Sequence, residues 1–168
     1  MLIRSALLLV ALLVCTCTAT TAFAQQFVAT GRDTLRGLPG VEVLVEAIDP
    51  ELRPLGIDAA VLRADIERQL RAGAVPIFAS QSQNPSPAKA YLYVQVSGFQ
   101  LDARGFVASV QVHVRQTLRS PVTGSDVVNA MTWDQHTVLL VPAGQAQLLR
   151  DQLRSAVDTL VKDWQAVH

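Results

Sequence analysis

The sequence predicts an α+β fold: two layers, with a mainly antiparallel sheet carrying two helices on one face. Three observations predict it. Three long β-rich segments follow one another with short polar turns between them. Two amphipathic helical patterns stand before and after that block, and every pattern offers one apolar side. Burying sheet against helices is the economical way to hide all of those sides at once. The element order is strand, helix, short strand, three-strand meander, helix.

Residues 1–24 come first and read as an export signal. Arg4 supplies the positive start, residues 6–14 form a short apolar run, and Ala22-Phe23-Ala24 gives a small-x-small cleavage site. A membrane anchor fits less well, because the apolar run is about half the ~20 residues of a spanning helix and is followed by Thr16, Thr18, Thr20 and Thr21. Lipid attachment at Cys15 or Cys17 needs a small residue before the cysteine, where Val14 and Thr16 stand. Cleavage after Ala24 removes both cysteines, so the exported chain is cysteine-free and forms neither a disulfide nor a thiolate metal site. About 140 residues remain, enough to bury roughly two thirds of the unfolded surface without covalent staples. They divide into an N-terminal arm, 25–40, and a single domain, 41–168.

In that domain, residues 41–47 alternate apolar and acidic at their start, the signature of a half-buried strand, and Pro50 and Pro54 stop it. Asp58 is placed to cap a helix whose Leu62, Ile66 and Leu70 recur every four residues, with Gly73 at its end in the expected left-handed position. Residues 75–78 form a short extended piece that Pro76 confines to an edge. Residues 81–89 read as one exposed loop. The meander strands are 91–101, 106–118 and 127–141. The last helix opens near Gly144 and runs to about Trp164, with Leu149, Leu153, Val157, Leu160 and Trp164 in one stripe. Trp164 reads as a core anchor, and the terminal His168 as a frayed end.

Turn chemistry then sorts the faces of the meander. A three-residue turn ending in Gly105 sets Gln95 opposite His113 and Tyr93 opposite Arg115. A two-residue turn at Gly124-Ser125 sets His113 opposite His136, Arg115 opposite Asp134 and Thr117 opposite Thr132. The core face then collects Leu92, Val94, Val96, Val110, Val112, Val114, Leu118, Met131 and Leu139, with Gln116, Trp133 and Gln135 toward one end. The other face carries Tyr93, Gln95, His113, Arg115, Asp134 and His136, which form the candidate binding site. Two opposed histidines with Asp134 as a third ligand would suit a metal-dependent hydrolase. A solvated face with an Arg–Asp pair accounts for the same residues without a metal, and no cofactor or metal is assigned.

Charge and motif content narrow the function classes. Lys+Arg and Asp+Glu are 14 each, and loss of Arg4 leaves one acid in excess, so no basic footprint for nucleic acid exists. The chain lacks Gly-x-Ser-x-Gly, a phosphate-binding Gly-rich loop, His-Glu-x-x-His and Cys-x-x-Cys, and no catalytic residue is assigned. Ser109 and His113 lie two residues apart on one strand, about 7 Å, too far for nucleophile activation. Glu42, Glu46, Glu67, Asp151 and Asp158 read as members of solvated faces.

The order of elements from about Leu35 to Trp164, behind an export signal and the stretch Leu35-Arg36-Gly37-Leu38-Pro39, resembles small exported bacterial envelope proteins of uncharacterised role. More remotely it resembles the lipopolysaccharide-assembly lipoprotein of the outer membrane. That chain is lipid-anchored through a cysteine, which this sequence does not position. The expectation is therefore a periplasmic or secreted, non-catalytic binding or envelope-assembly domain, meeting a protein or envelope component through its open sheet face or an edge strand. A homo-oligomer is a further possibility, and no transmembrane segment is expected after cleavage.

Overall fold

Val41, Val43, Leu92, Val94, Val96, Val110, Val112 and Val114 all point to one side of a five-stranded sheet and are buried there. The strands are β1 (Val41–Val45), β2 (Ile77–Phe78), β3 (Tyr91–Asp102), β4 (Gly105–Arg119) and β5 (Asp126–Pro142). The helices are α1 (Ala59–Ala72) and α2 (Gln147–Gln165), and short 3-10 turns occupy Gly31–Leu35, Pro50–Leu55 and Gln81–Gln83. This computed structural model describes residues 31–168, so the expected export signal and cleavage site lie outside the described residues. No helix among the described residues is long and apolar enough to cross a membrane.

The sheet order is β2-β1-β3-β4-β5. β3, β4 and β5 form the predicted antiparallel meander, while β1 runs parallel to both β2 and β3. The parallel step from β1 to β2 is made possible by α1, since parallel neighbours need a long crossover. β2 is two residues long and sits at the edge, where the missing N–H of Pro76 just before it costs no ladder bond.

α1 and α2 both cover the valine-lined face. Leu62, Ile66 and Leu70 of α1 and Leu149, Leu153, Val157, Leu160 and Trp164 of α2 join the strands in one cluster. Each fully buried Val or Leu there contributes about 1.5–3 kcal/mol through apolar area removed from water. The Asp58 carboxylate accepts from the N–H groups of Ala60 and Val61 at 2.8 and 3.0 Å, satisfying two donors at the start of α1. The arm joins the same core through Leu35 and Leu38. Buried Trp133 of β5 donates from Nε1 to Asp163 Oδ2 of α2 at 2.9 Å, fastening the outermost strand to the helix layer.

Four local expectations are corrected. Gly73 is not left-handed: its φ is −85°, and Ala74 takes the positive φ of 59°. The physical need for glycine is space, because a Cβ at position 73 would stand 2.3 Å from Val161 Cγ1 of α2. His168 is not frayed. Its ring stacks on Trp164 at 4.3 Å, and its nitrogens meet the carbonyls of Trp164 and Leu38. The 81–89 loop is not wholly exposed, since Asn84 is buried, donates to Ala90 O and accepts from Ser86 N. Leu118, expected in the core, is exposed, because it lies near the end of β4 next to the Ser120–Ser125 turn.

Gly73→Ala is expected to cost about 1–3 kcal/mol through overpacking against a stiff β-branched neighbour. Adding Val161→Ala should recover part of that loss. A double-mutant cycle by urea unfolding checks this, and strictly additive effects would contradict the close helix–helix contact.

Candidate functional site

The side of the meander away from the helices is organised in rungs, one residue from each strand. Tyr91, Arg115 and Met131 form one rung; Tyr93, His113 and Asp134 the next; then Gln95, Gln111 and His136. Ser97, Ser109 and Val138 follow, and Phe99, Val107 and Leu140 complete the series. All six predicted site residues share this face. The predicted face was right and the predicted partners were not: β3–β4, and β4–β5 as far as Val114, slide two residues from the expected register, and β4–β5 beyond Val114 slides three and then four.

The causes are local. Asp102 pairs with Gly105 across a two-residue turn, and an irregularity between Gln100 and Asp102 absorbs Leu101. Tyr93 therefore opposes His113, and Gln95 opposes Gln111. At the other end, Ser120 N bonds Ser125 O and closes a six-residue turn rather than a two-residue one. Two register shifts follow, between Val114 and Arg115 and between Gln116 and Leu118. Consequently His113 opposes Asp134 and not His136, Arg115 opposes Met131 and not Asp134, and Thr117 does not oppose Thr132. Between the two shifts the alternation of β5 is inverted, which brings Met131 from the expected core face to this one.

The rungs are laced together. The Arg115 guanidinium lies over the Tyr93 ring, 4.3 Å from its centroid, a cation–π contact worth about 0.5–1 kcal/mol at a partly exposed site. A hydrogen bond from Tyr93 to the Glu46 carboxylate holds the phenol above its ordinary range, so it stays protonated. Tyr91 Oη donates to Asn129 Oδ1 at 3.3 Å. His113 has Nε2 3.2 Å from Gln111 Oε1 and Nδ1 against the Met131 sulfur, with the Tyr93 ring edge-on at 6.2 Å. It is only 7% exposed, so it is not the solvated histidine expected on an open face. Burial is the main cause holding His113 below the usual imidazole range. Arg115 and His136 push the same way, and Asp134 opposes them.

Glu46, Ser109, Gln111 and Met131 also take part in this face. The first three share the alternation of the predicted residues and were legible from it; Met131 was hidden by the register shifts. Ser109 Oγ lies 3.0 Å from His136 Nε2, a diagonal contact across strands. It pairs a hydroxyl with a base, but β4 is hydrogen-bonded to strands on both sides. The backbone N–H groups around Ser109 are therefore committed to ladders and leave no pair of donors for a developing oxyanion. Among the described residues, no group of three His, Cys, Asp or Glu side chains converges to hold a metal. The displacement of His136 from His113 by one rung explains why the imagined His–His–Asp set does not assemble.

Of two recesses, one lies off this face and the other reaches its margin at Asp134. A groove of about 460 Å³ separates α1 from α2, with Leu62, Ile66 and Leu153 as its floor. Part of its polar rim is already paired: Gln69 donates to Arg154 O and Asp158 across the helices and Arg150 Nη2 to Gly56 O, while Arg150 Nε is buried without a partner. A recess of about 370 Å³ beside Trp133 is edged by Arg32, Asp134 and Asp163. No family model, no curated protein and no solved structure matches the chain.

The sign of the His113 linkage gives a pH prediction. An imidazole depressed in the folded state binds its proton more readily when unfolded, so its contribution is present above the unfolded value of 6.5 and is lost as pH falls through the lower folded value. Urea unfolding at about pH 7.5 and about pH 5.5 should show a larger loss for the natural chain than for His113→Gln. Equal losses would contradict the burial described.

Proposed function

We propose that this chain is an exported, non-catalytic interaction domain that binds a protein or envelope component through the outer face of the meander and the free edge of β5. The observation that carries this reading is an unshielded apolar band at one end of the face. Phe99, Leu101, Val138 and Leu140 are 50–61% exposed, and Phe99, Val138 and Leu140 occupy neighbouring rungs beside the polar cluster. Contiguous apolar surface of this kind, rimmed by polar residues, marks contact sites.

The edge adds a second means of contact. Among the described residues β5 pairs with a strand on one side only, and the Gly31–Leu35 turn meets its other side at Thr132; elsewhere alternate backbone groups face outward, and strand addition uses such groups for affinity and alternate side chains for selectivity. The export part of the proposal rests on the charge, apolar run and small-x-small pattern of residues 1–24. A binding role places no demand on the sheet face for a pocket or an oxyanion site, which fits the committed ladders around Ser109.

A photo-crosslinking side chain at position 138, compared with one at position 63 on α1, tests the proposal in the native envelope fraction. A discrete adduct from position 138 and none from position 63 is expected. No adduct from 138, or the same adducts from both, would overturn it.

A further inference from the structure

We propose that the hairpin joining β4 to β5 is a membrane-docking tip, whose apex enters the upper acyl layer of a zwitterionic lipid surface. The hairpin outruns the rest of the sheet. β3 makes its first pair at Tyr91↔Arg115, whereas β4 continues to Arg119 and β5 starts at Asp126, so the two strands project about 13 Å past the start of β3 before the turn begins. One bond from Thr117 N to Ala88 O steadies the base of the projection. Among the described residues, the arm's bond to β5 is at Thr132, four positions from Val128, and the docking band at Phe99, Val138 and Leu140 lies at the other end of the meander.

The apolar side chains of this tip face several directions at once. Leu118 and Val127 pair across the ladder on one side, strand alternation sets Val128 on the other, and Val122 in the turn is 91% exposed. A flat protein surface covers one side of such a hairpin. A fluid apolar layer covers the apex and both sides together, which is why lipid suits this arrangement.

Charge and hydrogen bonding agree with that occupant. From Gln116 to Ala130 the only ionisable side chains are Arg119 and Asp126, which pair at 3.3 Å and leave the tip without net charge. They close the turn at headgroup level, where phosphate suits an Arg and an ammonium group an Asp. A backbone that leaves water needs its N–H groups satisfied from within. Here Ser120 N donates to Ser125 O, Gly124 N to Ser120 O, Thr123 N to Ser120 Oγ and Ser125 N to Thr123 Oγ1, at 2.8–3.3 Å. Pro121 has no N–H to satisfy. The turn therefore loses few hydrogen bonds on entering lipid. The strands behind it keep their unpaired edges in the hydrated headgroup layer, since open sheet edges are not tolerated in hydrocarbon, so insertion is shallow and reversible.

Flotation of the exported chain, beginning at Gln25, with phosphatidylcholine vesicles tests this. The natural chain should float, Val122→Asp should bind about tenfold more weakly with unchanged circular dichroism and melting temperature, and Val138→Asp should float as the natural chain does. Acyl chains carrying bromine should quench the fluorescence of Val122→Trp and not that of Arg63→Trp, against a constant background from the buried Trp133 and Trp164. A natural chain that stays with the soluble fraction, equal binding by Val122→Asp, or binding that needs anionic lipid and vanishes in high salt overturns the inference. So does a photo-crosslinker at position 122 that captures a discrete protein in the envelope fraction while the chain ignores vesicles. Because the crosslink at position 138 reads the opposite end of the meander, its failure leaves this inference standing, and the reverse holds.

Discussion

Everything in this molecule depends on the two-sidedness of β4. Val110, Val112 and Val114 are buried against the helix layer, while the residues between them stand on the opposite face. That alternation is imposed by the pleat and cannot be relaxed one residue at a time, because a one-residue slip would exchange the valines for Gln111, His113 and Arg115. The apolar area of the valines makes such a slip costly, and neighbouring strands inherit the same sorting. Leu92, Val94 and Val96 of β3 and Val41 and Val43 of β1 complete the layer that α1 and α2 cover.

Because the core claims one face, the other must manage with what remains, and it divides in two. Near Tyr93 and His113 the side chains engage one another through a cation–π contact, a carboxylate-bound phenol and a histidine packed beneath Met131 and Gln111, while Arg115 Nε is buried without a hydrogen-bond partner. Near Leu140 no such mutual cover exists, and the apolar side chains stay exposed. The exposed end and its open edge are where a new contact brings the larger gain, since both apolar area and free backbone groups are on offer there.

The sequence was most legible where one physical term dominates. Hydrophobic periodicity located α1 and α2, and the meander strands begin and end within one residue of their expected limits. Asp58 caps as its chemistry requires. Face assignment also survived, because the β3–β4 pairing shifted by two residues as a whole, and the two irregularities of β5 each reversed the alternation and so cancelled beyond Val114. What failed was pairing. Turn length is decided by a few tenths to one or two kcal/mol of local backbone preference, which nearby packing overrides. Hence His113 met Asp134 instead of His136, and Met131 changed faces. Gly73 was misread for a related reason: its freedom from a Cβ matters for the approach of Val161, a partner 88 positions away that no local pattern reveals.

Residue-resolved amide exchange along β5 in dilute protein is the most direct test of the account. The outward amides of His136, Val138 and Leu140 should exchange much faster than the inward amides of Thr137, Leu139 and Val141, in strict alternation. Uniform protection along this segment, or alternation in the opposite phase, would contradict the face and edge on which the whole reading stands.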